Sequence, residues 1–219
     1  MTTMSQPQRL TFLVLGATGG TGKHFVARAL SEGHHVRALA RTPSKLSPAT
    51  NLEIIQGSIT EPLDTDALVS GADVVISMLG DQQAQHTAKI NTALIKRLVP
   101  SMRKAGVKRL LYQSGAMTAP YGARQNTVLW LMRKTLGSSY DGQHKDNEGV
   151  AEYLVTEAMD IEWIVHRAGI GGNGPSKGVL GRSQTWPSVG TFGDCAEYNY
   201  RVVMNPDEAV HTQDLSQYQ

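Results

Sequence analysis

Seven residues near the start of the chain, Gly16-Ala17-Thr18-Gly19-Gly20-Thr21-Gly22, have the make-up of a phosphate cradle. They follow an apolar run, Leu10–Leu15, and open a stretch, Thr21–Leu30, where Phe25, Val26, Ala29 and Leu30 recur at helical spacing. At such a strand-to-helix turn each glycine has a physical task. Gly16 permits the tight turn. Gly19 lets the backbone approach a pyrophosphate with no Cβ in the way. Gly22 lets the helix sit close to the strand. The free N–H groups and dipole of the new helix then favour an anion.

The segment about twenty residues further on selects the nucleotide. An Asp or Glu there would meet free ribose hydroxyls, but the chain reads Ala40-Arg41-Thr42-Pro43-Ser44-Lys45, with no acid and two cations four apart. Arg41 can clamp a 2′-phosphate bidentately, with Lys45 as a point charge. The expected cofactor is NADP(H) rather than NAD(H).

Candidates for proton handling lie further along. Ser114 follows an apolar run, at the strand end that faces ligand in sheets of this type. Tyr140 and His144 are four apart and share a helix face, and histidine titrates near neutrality, so His144 is a candidate proton donor or ligand-orienting group.

These residues need a scaffold, and the apolar pattern supplies one. Strands are expected at Leu10–Leu15, Val36–Ala40, Asn51–Ile55, Ala72–Leu79 and Arg109–Gln113, with helices between them. Ile90, Leu94, Leu98 and Met102 mark a long helix ending before Gly106, with a bend expected at Pro100. This alternation predicts an α/β fold: a Rossmann-type, doubly wound parallel sheet, with a small C-terminal extension on the substrate side.

Composition narrows the class. The 219 residues fit one domain, 1–219, with 1–9 as a flexible polar tail. A net charge of +2 with 18% charged residues argues against a nucleic-acid scaffold, and no apolar run is long enough for a membrane span. The one cysteine, Cys195, cannot form an intramolecular disulfide or a cysteine-based metal site. No metal is expected. With no apolar leader, the expected location is the cytoplasm.

Two imbalances point to the substrate side. Eleven of 13 aromatic residues lie at or beyond Tyr112, and a second glycine cluster spans Gly169–Gly181. Segments 115–140 and 169–193 are expected to form the substrate side, with Gly169–Gly181 as a mobile loop. Tyr121, Trp130 and Trp186 are the aromatics expected near a flat, apolar substrate. Thr127–Leu136 reads as a helix packed on the sheet or forming a pocket wall. From Lys89 to Tyr140 there are ten Lys or Arg and no acid, a face expected to be mostly solvated.

The runs LVLGATGGTGKHFVARALSEGHHVRALARTPSKL, ADVVISMLG, NTALIKRLVPSMRKAGVKRLLYQSGA and DIEWIVHRAGIG, with the ending LSQYQ, resemble the atypical short-chain dehydrogenase/reductase superfamily. Within it the chain is most similar to the single-domain NAD(P)H-binding proteins of the biliverdin reductase B (flavin reductase) and NmrA-like groups. The resemblance implies pyrophosphate contacts at Gly16, Thr18, Gly19, Thr21 and Gly22. It implies a 2′-phosphate site at Arg41 and Lys45, and adenine contacts at Ser58 and Ile59, where Ser58 replaces an acid. It implies that Leu79 and Gly80 line the nucleotide path, that Ser114 lies beside the nicotinamide, and that Ala168, Gly169 and Ile170 pass over it.

The superfamily's usual Ser, Tyr and Lys set needs Tyr and Lys four apart. Here Tyr140 and Lys145 are five apart, which puts Lys145 about 140° from the tyrosine's face unless Gly142 breaks the regular helix. That departure counts against an ordinary ketoreductase and fits hydride transfer to a flavin- or quinone-like acceptor. The implied activity is NADPH-dependent reduction of a small flat or polycyclic molecule, by a monomer or homodimer. An isomerase, dehydratase or cyclase without net redox, and a non-catalytic NADP(H) sensor, are the alternatives.

Overall fold

A computed structural model describes residues 9–135 and 137–219. The expected tail over residues 1–8 and the last residue of the expected 127–136 helix lie outside the described residues. The first half runs β1 (Thr11–Leu15), α1 (Gly20–Ser31), β2 (His35–Ala40), β3 (Leu52–Gln56), α2 (Thr65–Val69), β4 (Val74–Ser77), α3 (Gln82–Thr87), α4 (Ile90–Ala105) and β5 (Arg109–Gly115). The second half adds α5 (Thr127–Thr135), α6 (Asp141–Glu157), β6 (Glu162–Gly172), β7 (Leu180–Ser183), β8 (Val189–Thr191), α7 (Phe192–Met204) and β9 (Thr212–Tyr218).

The strands form one sheet in the order β3-β2-β1-β4-β5-β6-β9-β7, with β8 paired to the end of β6. Every pairing is parallel except β7 with β9. The central parallel strands β1, β4 and β5 are buried on both faces, as their short, continuously apolar runs require. On β1, Phe12 and Val14 join the core under α1 and α7, whereas Leu13 and Leu15 join the opposite core with Leu94, Leu98 and Trp163. The chain moves from β1 toward β2 and β3 on one side and from β4 toward β5 and β6 on the other. The topological switch point, where such sheets bind ligands, therefore lies between β1 and β4.

Helix α4 runs on through Pro100 and ends on Gly106 at φ +73°. One expectation changes. The second glycine cluster is not one loop: Gly169–Gly172 complete β6, and Gly181 lies in β7. A Cβ at Gly169 would lie 2.6 Å from the Ser188 carbonyl oxygen, and one at Gly171 would lie 2.8 Å from Val189. Close approach of the Ser188 backbone and the Val189 side chain, where the chain enters β8, accounts for these two glycines.

Candidate active site and cofactor cleft

The glycine loop connects β1 to α1 as its sequence predicts. Gly16 has φ +86°, and a Cβ there would sit 2.6 Å from the Met78 carbonyl oxygen. A Cβ on Gly22 would sit 2.0 Å from the Gly16 carbonyl oxygen, which fixes how closely the helix meets the strand. Gly20 is packed against the Phe192 ring, and Ala17 is buried in the core. Gly19 caps α1 without a side-chain hydrogen bond, and no acid occupies the first turn. The helix therefore presents amide donors and no competing negative charge.

A cavity of about 270 Å³ opens beside this loop. Gly16, Thr18, Gly19, Leu79 and Gly80 line it, together with Arg41, Lys45, Ser58 and Ile59. These are the residues expected to hold a pyrophosphate, a 2′-phosphate and an adenine. Ser58 is buried and shares a 2.8 Å hydroxyl hydrogen bond with Thr60. Asp81, which sequence reasoning missed, lines the same cavity and pairs with Arg41 at 2.9 Å. The Ala84 amide that Asp81 accepts as cap of α3, and then Arg41, hold its carboxyl below the usual range.

A second cavity, of about 570 Å³, shares Gly19, Met78, Leu79 and Gly80 with the first, so the two form one cleft across the switch point. Gly20, Thr21, Ser114, Tyr140, His144, Ala168, Gly169 and Ile170 all line it. Ser114 and His144 are both buried, and Ser114 Oγ and His144 Nε2 have no hydrogen-bond partner. His144 Nδ1 is 3.1 Å from the Thr118 hydroxyl. Burial first, then the Arg133 guanidinium, push the imidazole pKa down to about 4. His144 is therefore neutral at pH 7 and acts as a hydrogen-bonding group rather than a charged acid.

Helix α6 carries these groups inward. Gln143, His144 and Asn147 line the cavity at i, i+1 and i+4, a spacing that could have revealed Gln143 and Asn147 in the sequence. The fully buried Asp146 carboxylate pins the helix. It accepts from the Asn91 and Thr92 amides, at the start of α4, at 2.9 Å each, and from the Gln85 side chain of α3 at 2.8 Å. Gly142 is a contact glycine and not a helix breaker: its missing Cβ would fall 2.4 Å from the Gln85 carbonyl oxygen.

Lys145 does not reach the cleft. Its ammonium pairs with Asp141 at 2.8 Å on the surface, and it lines neither cavity. A one-residue offset from His144 turns it about 100° away. The three aromatics expected at the substrate are also elsewhere. Trp130 is half exposed on α5, whose Leu129 and Met132 face the cavity instead. Tyr121 hydrogen-bonds through its backbone to Gln213, and Trp186 is exposed outside the lining. The apolar wall is formed by Met117, Leu129, Met132, Pro187, Val189 and Phe192.

A buried polar chain runs from the glycine loop to the last strand. Gln113 donates to Thr21 Oγ1 at 3.4 Å, and Asn199 donates to Gln113 at 2.7 Å. The Asn199 carbonyl oxygen must then accept from His166 Nδ1–H, at 2.6 Å, and His166 Nε2 must accept from Ser216 at 2.9 Å. Thr21 accepts within this chain, so its own hydroxyl proton is left for the cleft.

The fold and cleft define an NAD(P)-binding Rossmann protein. An uncapped helix over a glycine cradle, two cations at one end and two orphaned polar atoms at the other fit a dinucleotide cofactor. The chain belongs to the NAD(P)H-binding family, which it matches over residues 16–191. It is 28% identical over 177 residues to 3 beta-hydroxysteroid dehydrogenase/Delta 5→4-isomerase of Mycobacterium tuberculosis, covering 74% of this chain and 47% of that protein. It is 30% identical over 109 residues to the isoflavone reductase homolog IRL of Zea mays, covering 43% and 35%. The chain thus spans half or less of these relatives' lengths. Among solved structures, ChuY, an anaerobilin reductase from Escherichia coli, superimposes with a TM-score of 0.72 at 17% identity, over 94% of this chain and 95% of that one. Among the described residues, no helix is long and apolar enough to cross a membrane, and no group of three metal-ligating side chains occurs.

Proposed function

We propose that the protein is an NADPH-dependent oxidoreductase that reduces a small flat or polycyclic molecule. One observation carries this reading: a single cleft runs from the Arg41 and Lys45 cations, past the uncapped start of α1, to Ser114 and His144. Arg41 and Lys45 take the 2′-phosphate. The amides of α1 and the Thr21 hydroxyl take the pyrophosphate. Ser58 and Ile59 border the adenine, and Ala168, Gly169 and Ile170 cover the nicotinamide end. When bound in reduced form, the cofactor supplies a hydride.

The chain's own residues orient the acceptor. Ser114 and the neutral His144 hydrogen-bond to it on the cleft floor, and Tyr140 sits at the rim. A neutral imidazole does not release a proton readily at pH 7, so the proton that accompanies the hydride comes from water. The apolar wall keeps the remaining surface dry. The test is thermal unfolding with each nucleotide, followed by NADPH oxidation against a panel of aromatic and polycyclic acceptors. Stabilisation by NADPH above that by NADH, with turnover of at least one acceptor, is expected. No stabilisation by NADPH sinks the reading.

A further inference from the structure

Charge is missing from the larger cavity. None of the described residues lining it is Asp, Glu, Lys or Arg, and its ionisable imidazole, His144, is neutral. The cations on the surrounding elements are already engaged, Lys177 with the Val189 carbonyl oxygen at 3.0 Å. Arg133 is paired with Asp141 and Glu148, and Lys145 is paired with Asp141. Arg167 is buried behind the turn after β5 and donates to the Thr118 and Ala116 carbonyl oxygens. Beyond the α1 amides, which the proposed cofactor occupies, a carboxylate or phosphate entering this space would lose its water and find no counter-charge.

The two orphaned atoms state what the cavity does accept. Ser114 Oγ and His144 Nε2 are buried without partners, a costly arrangement unless a ligand completes it. Both residues line this cavity. A Cβ on Gly115, the residue after Ser114, would touch His144 Cε1 at 3.6 Å, so the imidazole edge lies against the end of β5. One oxygen with two lone pairs can accept from Ser114 O–H and from His144 Nε2–H. In that tautomer the Thr118 hydroxyl donates to Nδ1. A substrate hydroxyl is met equally well when Thr118 rotates to accept from Nδ1–H, which leaves Nε2 to accept.

We infer that the substrate is an uncharged, largely apolar ring compound that presents one carbonyl or hydroxyl oxygen to Ser114 and His144, and that anionic acceptors are excluded. This rests on the proposed function only in taking this cavity as the acceptor site. It separates quinone-like and ketone-like molecules from phosphorylated flavins and carboxylated tetrapyrroles.

The experiment is calorimetric titration of the ligand-free protein and of the protein saturated with oxidised NADP, using three matched probes. Acetylnaphthalene is neutral and carries the oxygen, ethylnaphthalene lacks it, and naphthoate carries a charge. Acetylnaphthalene is expected to bind at least about tenfold more tightly than naphthoate, because the charge has no partner. It should bind about threefold to tenfold more tightly than ethylnaphthalene, the net effect of its hydrogen bonds. Ser114→Ala removes one small atom and should shrink the acetyl-over-ethyl preference at least about threefold. Naphthoate binding as well as acetylnaphthalene, no binding of acetylnaphthalene up to its solubility, or a preference unmoved by Ser114→Ala overturns the inference. Stabilisation by NADPH is read without any probe. If it is lost while the acetyl preference stays, the proposed function falls and the substrate class stands.

Discussion

The Arg41–Asp81 pair makes a sharp prediction about cofactor choice. Arg41 follows the last residue of β2, and Asp81 lies just beyond β4; β1 runs between these strands. The pair therefore spans two strand spacings, roughly 10 Å, above the glycine loop. A 2′-phosphate must compete with Asp81 for the guanidinium. Asp81→Asn removes the competing charge and keeps the cap of α3, because Asn caps as well as Asp. Arg41 is 67% exposed, so the pair is screened by solvent and is worth about 0.2–1 kcal/mol. NADPH should therefore bind about 1.5-fold to fivefold more tightly to the variant, with NADH unchanged within about twofold. Arg41→Ala removes a charge-assisted hydrogen bond worth about 1.5–3 kcal/mol, so NADPH should weaken about tenfold to a hundredfold while NADH barely moves. In the Arg41→Ala background, Asp81→Asn should have no effect. Calorimetry at low and high salt measures all four proteins, and the differences should shrink at high salt. Equal weakening of both nucleotides by Arg41→Ala would refute the 2′-phosphate assignment. The same tightening by Asp81→Asn with and without Arg41 would refute the competition.

Other outcomes follow from the same geometry. Gly22→Ala places a Cβ 2.0 Å from the Gly16 carbonyl oxygen and should cost at least about 2 kcal/mol, a drop of at least roughly 5 °C in Tm, together with loss of NADPH-induced stabilisation. An unchanged Tm would show that α1 can move. Lys145→Ala breaks only the exposed Asp141 pair, so the urea midpoint should fall by the equivalent of at most about 0.5 kcal/mol, with NADPH affinity unchanged within about twofold. A tenfold loss of affinity would return Lys145 to the site. Burial pushes His144 and His166 to about 4, from an ordinary value of 6.5. Between those values the unfolded chain binds more protons than the folded one, so stability is full above pH 6.5 and is lost as pH falls toward 4. Each histidine should account for about 2 kcal/mol between pH 7 and 5, read from urea unfolding; a flat profile over that window contradicts neutral burial.

The parts of this protein that were legible in its sequence are those set by neighbours along the chain. The glycine loop is local chemistry: a strand, a turn that needs φ above zero at Gly16, and a helix that needs no Cβ at Gly22. The Arg41 and Lys45 cations sit four apart in one segment. Their counter-charge was hidden because Asp81 lies forty residues away and meets Arg41 only through the strand order. The second glycine cluster misled for a similar reason. A glycine that allows mobility and one that admits a neighbouring backbone look the same in sequence, and only the pairing of β8 with β6 separates them.

The substrate end shows why residue type was a poorer guide than angular position. Trp130 is the obvious aromatic of α5, yet the helix touches the protein through Leu129 and Arg133, and it turns Leu129 and Met132 to the cavity. On α6, Tyr140 forms the rim, His144 the floor and Lys145 the outer surface. Had tyrosine and lysine been four apart on a regular helix, both could have faced the cleft and carried a proton as a pair. With the lysine one position later and a buried, neutral histidine in its place, the helix offers hydrogen bonds without a charged acid. The floor of this cleft is thereby suited to holding an oxygen in place without a charged donor, and the charged side chains are concentrated at the other end, where Arg41, Lys45 and Asp81 line the smaller cavity.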